Sequence, residues 1–292
     1  MRAPGPLTTP TIFVVPHDDI AALSHTLADA HIVANPLSFQ VAEFATRYRG
    51  ELHAAEFGFP AGASVDQVLN ILRTAKPVLH RITIPEGLTA IEITALLINA
   101  DAAAGPVPHL DEGAFFPDTY KFQRGSTRAA LVTYATDRMR KILDQEWADR
   151  APGLPLTTPA QALTLASIVE RETALPAERP LVASVFLNRL RLGMKLEADP
   201  TVVYGVTDGA GKLDRPISRA DLASDTPYNT YLIDGLPPGP IASPGRAALH
   251  AVLHPAPSEY LYFVANGTGG HSFSATLEQH LANVEKWRKL GH

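Results

Sequence analysis

The chain has 292 residues, of which 46% are hydrophobic and 19% are charged, with a formal net charge of -5 at pH 7. This composition is typical of a folded globular protein with more than one hydrophobic core, and it excludes a fibrous or disordered chain. No long run of lysine or arginine is present, so nucleic acid is not expected as a partner, because phosphate binding needs clustered cations. The lack of cysteine excludes disulfide bonds, thiolate nucleophiles and cysteine-bound zinc.

The first hundred residues repeat one pattern of short apolar strand, proline turn and amphipathic helix. The strand and proline segments are 12–16, 57–60 and 82–85. β-Branched or aromatic residues give way at each proline to apolar residues three and four apart, which predicts a strand followed by a helix that packs back on it. Small α+β modules are therefore predicted. The segment 99–110, rich in Ala, Gly and Pro, is predicted to lead to a second domain that starts near residue 105.

Two long helices are predicted early in the second domain. The spacing of apolar residues predicts an amphipathic helix over about 126–149. Thr158 as N-cap, Pro159 at the first helical position and Gln161 three residues after the cap form a second helix start. This helix should run to about Glu172.

Glu170 is the residue of the second helix that suggests chemistry. Ala162, Ala166 and Val169 are expected to face the core, which leaves the Glu170 carboxyl group free to face outward into a groove. Partial burial beside apolar residues would keep this group protonated to higher pH than a surface glutamate, as a general acid requires at neutral pH. From the triplet 170–172 alone, however, a solvated helix end is the commoner interpretation.

The rest of the chain is predicted to alternate helix, loop and strand. A helix is predicted over about 177–192, a segment dense in Pro, Gly, Asp and Asn over 194–245, strands over 260–264 and 271–274, and a last helix from Thr276. The tyrosines of the loop-rich segment argue against disorder and suit the wall of a cleft, because flat rings cover the apolar faces of sugars. Ordinary core packing of these tyrosines remains an alternative.

Five ordered motifs resemble the endolytic murein transglycosylase family, also called YceG-like. They occupy 183–190, 196–205, 227–231, 235–245 and 260–264, and the resemblance extends from about Thr83 to Leu290. Ordered motifs over this length are much harder to meet by chance than one short pattern. The resemblance implies an α+β fold in which one or more small LysM-like N-terminal modules precede a mixed α+β catalytic domain. Residues 1–55 are then an N-terminal α+β segment, 56–104 a LysM-like module and 105–292 the transglycosylase domain.

The activity implied by this resemblance is cleavage of peptidoglycan glycan strands without water. The β-1,4 bond between N-acetylmuramic acid and N-acetylglucosamine is broken within a strand, and a 1,6-anhydro end is left. Glu170 would act as general acid and then as general base, so neither a second carboxylate nor a cofactor or metal is needed. A hydrolytic muramidase and a non-catalytic glycan-binding scaffold are the alternatives. The motif positions expected to bind substrate are Asn188, Glu197, Asp199, Thr201, Tyr204, Tyr228, Asn229, Thr230, Tyr231 and His271.

Glu197 departs from the family pattern, which commonly has glutamine at this position. A carboxylate there could raise the pKa of Glu170 by repulsion, or act as a second carboxylate and admit hydrolysis, if it lies close enough. A tolerated substitution that faces solvent is the plainer interpretation. A LysM-like module likewise has two interpretations, contact with glycan or a spacer that holds the catalytic domain away from a membrane.

Two other site chemistries are not supported by the residue spacing. His271, His280 and Glu278 fit no strong zinc-binding pattern, so no metal is expected. Ser167 lacks the glycine elbow of the serine hydrolases.

The family resemblance also implies a location and partners. Members carry one N-terminal membrane-spanning helix, with the enzyme domain on the periplasmic side of the inner membrane, and cell-wall synthases are implied as protein partners. The present sequence contains no run of about 20 apolar residues and no signal peptide. The expectation is that Met1 begins a shortened form, soluble as written, from which the anchor is absent.

Overall fold

The computed structural model describes residues 2–290, so Met1 and the expectation attached to it lie outside the described residues. In chain order the elements are β1 (Thr11–Val14), α1 (Ile20–Asp29), α2 (Pro36–Thr46), a 3₁₀ turn (Arg47–Arg49), β2 (Glu56–Phe59), α3 (Val65–Thr74), β3 (Leu79–Thr83), α4 (Ala90–Ile98), β4 (Thr119–Gln123), α5 (Arg128–Ala148), α6 (Pro159–Glu172), α7 (Arg179–Arg191), α8 (Asp199–Val206), α9 (Arg219–Leu222), α10 (Arg246–Leu253), β5 (Tyr262–Ala265), β6 (His271–Ser274) and α11 (Leu277–Lys289). The strands within residues 2–290 form three two-stranded sheets, β1–β2, β3–β4 and β5–β6. The α+β class is confirmed.

The chain divides into two compact units, and their boundaries differ from those predicted from sequence at residues 55 and 104. The first unit runs to Arg81 and adds residues 101–104 and 121–127, and the second contains 82–100, 105–120 and the chain from Arg128 onward. The segments 1–55 and 56–104 do not fold separately, because β1 pairs antiparallel with β2. The turn at 83–89, which lies within the predicted LysM-like module, belongs to the second unit together with α4.

The first unit has its own hydrophobic core. Phe39 of α2 and both phenylalanines of β2, Phe57 and Phe59, are fully buried there together with Leu27 and Leu72. The strand and helix pattern of the sequence predicts this arrangement, since each apolar strand is followed by a helix whose apolar face needs a covering surface.

The core of the second unit lies among α6, α7 and α10. Ala162, Ala166 and Val169 of α6 are completely buried, so the predicted core face of this helix is confirmed. The predicted helix start is also confirmed, because Thr158 Oγ1 accepts a hydrogen bond from the Gln161 N–H at 3.2 Å. The helix ends at Glu172 as predicted.

The loop-rich segment contains two helices that the sequence pattern does not reveal, α8 and α9. Pro200 lies in the first turn of α8, where a missing N–H costs nothing, so it starts a helix instead of breaking one. The elements predicted for the C-terminal part of the chain are confirmed. β5 and β6 pair antiparallel, and Thr276 caps α11. No helix within residues 2–290 combines the length and the apolar character needed to cross a bilayer.

Candidate active site

Glu170 lies in the last turn of α6 and is enclosed by an ion pair and a backbone hydrogen bond. Arg179 Nη2 donates to Glu170 Oε1 at 3.0 Å, and the Gly245 N–H donates to Oε2 at 2.9 Å. Only 5% of the Glu170 side chain is exposed. Gly245 is the N-cap of α10, so the carboxylate lies at the positive end of that helix. Both carboxylate oxygens are thus committed to donors within the protein.

The turn between β3 and α4 packs against this helix end. The Gly87 N–H donates to the Ser243 carbonyl at 2.9 Å, and the Ser243 N–H donates to the Leu88 carbonyl at 2.8 Å. Arg171 Nη1 donates to the Gly87 carbonyl at 3.0 Å. A side chain at Gly87 would come within 3.7 Å of Glu170 Cγ, so the turn lies directly against the acid.

The expectation that Glu170 faces a groove is therefore wrong. Burial raises the pKa of Glu170, the Gly245 N–H and Arg179 act to lower it, and the negative charge of Glu86 adds to the increase. Glu197 is not among the charges that shift this pKa. The residues that enclose Glu170 come from distant parts of the sequence, and the helix pattern alone does not reveal them.

Glu172, the last residue of α6, lines a cavity of about 250 Å³ instead. Residues i and i+2 of a helix are separated by about 200°, so Glu170 and Glu172 leave α6 in nearly opposite directions. The residues that line the cavity are Glu172, Arg189, Leu196, Glu197, Asp199, Tyr231, Phe263 and His280. Three of the predicted substrate-binding residues, Glu197, Asp199 and Tyr231, are thus brought together around Glu172.

Among residues 2–290, no donor contacts the Glu172 carboxyl group, so it is not committed to a partner within the described chain. Burial, and then repulsion by Asp199, raise the pKa of Glu172 to about 8. At neutral pH this group therefore holds a proton in most molecules, and that proton faces an open cavity.

Asp199 and Tyr231 form one wall of the cavity. The Tyr231 hydroxyl donates to Asp199 Oδ1 at 2.7 Å. Burial raises the pKa of Tyr231, so its hydroxyl stays protonated and remains a donor. Asp199 is the first residue of α8, and the start of this helix fixes its carboxylate at the cavity.

Arg189 and Glu197 form a second wall. Arg189 Nη1 donates to Glu197 Oε2 at 2.9 Å and to the carbonyls of Lys195 at 2.9 Å and Leu196 at 3.2 Å, while Nε donates to the Leu261 carbonyl at 2.7 Å. Glu197 has φ 51°, a left-handed conformation that is uncommon for a residue other than glycine. This strained, ion-paired placement differs from the freely solvated side chain of the plainer interpretation, although 47% of the Glu197 side chain is exposed.

Thr201 and Thr230, predicted to bind sugar, are completely buried behind the wall. Thr230 Oγ1 accepts from the Ala198 N–H at 2.9 Å and lies 2.8 Å from Thr201 Oγ1. The Thr230 carbonyl accepts from the Glu197 N–H at 3.1 Å. These two threonines fix the backbone that presents the acids, and a direct contact of either with sugar stays a prediction.

Asn229 is also completely buried and holds the loop that carries Tyr231. Its Nδ2 donates to the carbonyls of Leu222 at 3.0 Å and Ser224 at 2.8 Å, and its Oδ1 accepts from the Tyr231 N–H at 3.0 Å. All the polar groups of the amide are thus used within the loop. Asn229 therefore supports the wall from inside the protein.

Asn188 and His271 do not line the cavity. Asn188 Nδ2 donates to the carbonyls of Ser258 at 2.9 Å and Tyr260 at 3.0 Å, which ties α7 to the segment before β5. The His271 N–H donates to Glu178 Oε1 at 2.9 Å, and His271 Nδ1 lies 2.7 Å from Glu178 Oε2. These contacts tie the start of α7 to β6.

Tyr204 and Tyr228 pack against each other, with ring centroids 4.7 Å apart, and against the core of the second unit. The Tyr204 hydroxyl donates to Glu112 Oε2 at 3.2 Å. Glu112 also accepts from the Ala90 N–H at 3.0 Å and so caps α4. The core alternative for these two tyrosines therefore has direct support, and sugar binding by them stays a prediction.

Within residues 2–290, one cluster of potential metal ligands lies outside the cavity. Glu146, His250 and His254 bring ligand-type atoms within 4.8 Å of one another. Glu146, however, already accepts from Arg246 Nε at 2.7 Å and lies 2.8 Å from His250 Nδ1. Arg246 thus already balances the charge of the Glu146 carboxylate, and the donor set fits an ion-pair network.

Five residues of the cavity are absent from the substrate-site residues predicted from sequence, the apolar Leu196 and Phe263 and the polar Glu172, Arg189 and His280. For Glu172 the signal is present in the sequence, since it follows Glu170 by two residues on the opposite side of the same helix. Arg189 adjoins the predicted Asn188 within one motif. His280 approaches from α11, and no local pattern indicates this long-range contact.

The fold and the cavity define an α+β domain in which a carboxyl group of raised pKa faces a polar cavity. The sequence model of the YceG-like family matches residues 12–286, and the chain belongs to that family.

Curated relatives agree with this assignment. The endolytic murein transglycosylase of Bacillus subtilis (strain 168) is 28% identical, over 96% of this chain and 85% of that protein. The endolytic murein transglycosylase of Streptococcus pneumoniae serotype 2 is 29% identical over 94% of this chain, which spans only 57% of that longer protein. A crystal structure of a putative YceG-like protein from Listeria monocytogenes superposes with a TM-score of 0.58 at 28% identity, covering 94% of this chain and 99% of that chain. These relatives place the chain among the transglycosylase enzymes.

Proposed function

We propose that this protein is an endolytic lytic transglycosylase of peptidoglycan, and that Glu172 supplies the proton that its reaction requires. The main support for this proposal is the cavity, where a Glu172 carboxyl group without a partner among the described residues lies beside Glu197, Asp199 and Tyr231. The competing hypothesis keeps the general acid at Glu170, the residue that the sequence resemblance suggested. Its two oxygens are already occupied by Arg179 and Gly245, which argues against that assignment.

In the proposed reaction, Glu172 donates its proton to the oxygen of the β-1,4 bond between N-acetylmuramic acid and N-acetylglucosamine. The C1–O bond breaks through an oxocarbenium-like state, and the N-acetylglucosamine end leaves as an alcohol. The Glu172 carboxylate then accepts the proton of the C6 hydroxyl of the same muramoyl ring while that oxygen bonds to C1. The products carry a 1,6-anhydro end, and Glu172 regains its proton.

Asp199 assists this chemistry by its charge. A carboxylate near the cavity stabilises the positive charge that develops on the sugar ring at the transition state. The same charge raises the pKa of Glu172, which keeps the acid protonated before the reaction. Tyr231 positions Asp199 through its 2.7 Å hydrogen bond.

A hydrolytic muramidase is the second candidate, because Asp199 is a second carboxylate in the same cavity. In that reaction Asp199 would activate water or attack C1, and the product would carry a reducing end. A third hypothesis, a glycan-binding scaffold, predicts no cleavage at all.

Mass analysis of the fragments from purified peptidoglycan separates the three hypotheses. We expect 1,6-anhydro ends from the wild-type chain, none from Glu172→Gln, and retained activity per folded molecule in Glu170→Gln. Reducing ends would favour the muramidase, and intact strands the scaffold. Loss of cleavage in a folded Glu170→Gln variant, with activity in Glu172→Gln, would return the acid to Glu170.

The family resemblance supports three further parts of this proposal. The enzyme acts on the periplasmic side of the inner membrane, works beside cell-wall synthases, and has a LysM-like N-terminal module that either contacts glycan or acts as a spacer. Protease accessibility of the full-length protein in spheroplasts tests the location. Protection from external protease in intact spheroplasts would contradict it.

A further inference from the structure

His280 reaches the wall of the Glu172 cavity from α11. Its ring stacks on Tyr262 of β5, with centroids 5.1 Å apart and 23° between the planes. Among residues 2–290, its Nδ1 atom is enclosed by protein and has no hydrogen-bond partner. A proton on this nitrogen would leave an N–H donor buried and unpaired, which is costly.

This cost determines which nitrogen carries the proton. With the proton on Nε2, only a lone pair is buried at Nδ1, so the Nε2–H tautomer is favoured. Burial, and then the positive charge of Arg189, lower the pKa of His280, so the ring is neutral at pH 7. Nε2 is not enclosed, and it therefore offers one N–H donor at the cavity.

Apart from the Glu172 proton, which the proposed reaction transfers, few other donors in the cavity are free. The Tyr231 hydroxyl is used by Asp199. Arg189 spends Nε and Nη1 on three backbone carbonyls and Glu197, and its guanidinium lies over the Tyr262 ring at 5.1 Å. The carboxylates of the lining accept hydrogen bonds from sugar hydroxyls. His280 differs, because it needs an acceptor on the ligand.

We propose that His280 Nε2–H donates to the acetamido carbonyl oxygen of a sugar bound in this cavity, and so selects N-acetylated over plain pyranoses. An amide carbonyl is the acceptor that distinguishes an N-acetylated sugar from one that carries only hydroxyls. The inference rests on the proposed function for the class of polymer. It concerns recognition, however, and binding tests it without cleavage.

The test compares two uncharged ligands, tetramers of β-1,4-linked N-acetylglucosamine and of β-1,4-linked glucose. Binding is measured by calorimetry for the wild type, His280→Phe and His280→Gln. The phenylalanine keeps a flat ring on Tyr262 without a donor, and the glutamine keeps an N–H donor. We expect His280→Phe to bind the N-acetylated tetramer about tenfold more weakly, with the glucose tetramer unchanged and His280→Gln partly restored.

Imidazole ¹⁵N resonances of the wild type give a second readout. The Nε2 signal of His280 should shift on addition of the N-acetylated tetramer and stay in place with the glucose tetramer. Equal weakening of both ligands in His280→Phe, or no preference for the N-acetylated tetramer in the wild type, would overturn the proposal.

Two controls separate this inference from the proposed function and from folding. His109→Phe replaces an exposed histidine and should change neither affinity, since 88% of its side chain is accessible. Glu172→Gln should bind the N-acetylated tetramer while failing to cleave peptidoglycan. Cleavage by Glu172→Gln would contradict the catalytic proposal and leave the His280 proposal standing. Loss of selectivity in His280→Phe alone would support the His280 proposal whatever the catalytic result.

Discussion

The two sides of the C-terminal end of α6 show what distinguishes a structural acid from a reactive one. Around Glu170, Arg179 and the Gly245 N–H occupy both carboxylate oxygens. Around Glu172 no donor is present among the described residues, and a cavity of about 250 Å³ lies beside the carboxyl group. Burial raises the pKa of both groups, so a raised pKa does not by itself identify the catalytic one. The two groups differ in whether a ligand in the cavity could accept the proton, which is possible for Glu172 and not for the enclosed Glu170.

Glu172→Gln is expected to have the largest effect, because it keeps the shape of the side chain and removes the transferable proton. We expect cleavage of peptidoglycan to fall by about 10²- to 10⁴-fold, the range that general acid catalysis contributes. The rate of release of 1,6-anhydro fragments measures this loss. Thermal unfolding should show a folded variant, and near wild-type rates would contradict the assignment of the acid to Glu172.

Glu170→Gln tests the other side, where we expect lost stability. Removal of Glu170 as a partner leaves the buried Arg179 charge with only Glu86, whose half-exposed carboxylate lies 3.6 Å from Arg179 Nη2, so the free energy of unfolding should fall by about 3 kcal/mol. Urea denaturation measures this change. Glu285→Gln is the matched control, since its pair with Lys289 is exposed and should contribute less than about 1 kcal/mol. Equal effects of the two substitutions would show that the Glu170 ion pair is not structural.

The pH dependence of cleavage sharpens the comparison further. The general acid must be protonated, so kcat/KM should fall as the pH rises through the Glu172 pKa of about 8. Asp199→Asn removes the repulsion that helps to raise this pKa, so the alkaline limb should move to lower pH. The movement should be partial, because burial is the larger cause.

Tyr231→Phe is the control for this profile, since it keeps the charge of Asp199. Its alkaline limb should stay close to that of the wild type even if the rate falls. If Asp199→Asn leaves the alkaline limb of the pH profile unchanged, the pH dependence does not arise from Glu172.

The smallest effect is expected for Glu197→Gln, which introduces the amide common in the family. Arg189 keeps its three backbone acceptors, and the Glu197 side chain is about half exposed, so stability should change by less than about 1 kcal/mol. Product analysis should still show 1,6-anhydro ends. A switch from reducing to anhydro ends on this substitution would instead identify Glu197 as a water-activating carboxylate.

Local sequence signals predicted the frame of the site well. The cap at Thr158 and the buried stripe of α6 placed that helix correctly from its start to Glu172. Caps and apolar periodicity are short-range features, so a single sequence contains them in full. The family motifs likewise contained six of the eight residues that line the cavity, of which three had been assigned to substrate binding.

The choice between the two acids was not accessible in the same way. It depends on Gly245, 75 residues from Glu170 along the chain, and on the Gly87 turn that packs against it. His280 joins the cavity through an equally long-range contact. Several motif residues, such as Thr201 and Asn229, prove to be fully buried supports, because a motif records positions and not the direction in which a side chain points.

Glu172 is the last residue of its helix, where the final backbone carbonyls carry partial negative charge. Electrostatics at such a terminus disfavour a carboxylate regardless of which side chains surround it. Part of the rise in the Glu172 pKa therefore comes from peptide dipoles, which substitutions in the cavity wall do not remove. Substitutions in the lining can tune the working pH of the acid over evolutionary time while its tendency to stay protonated persists.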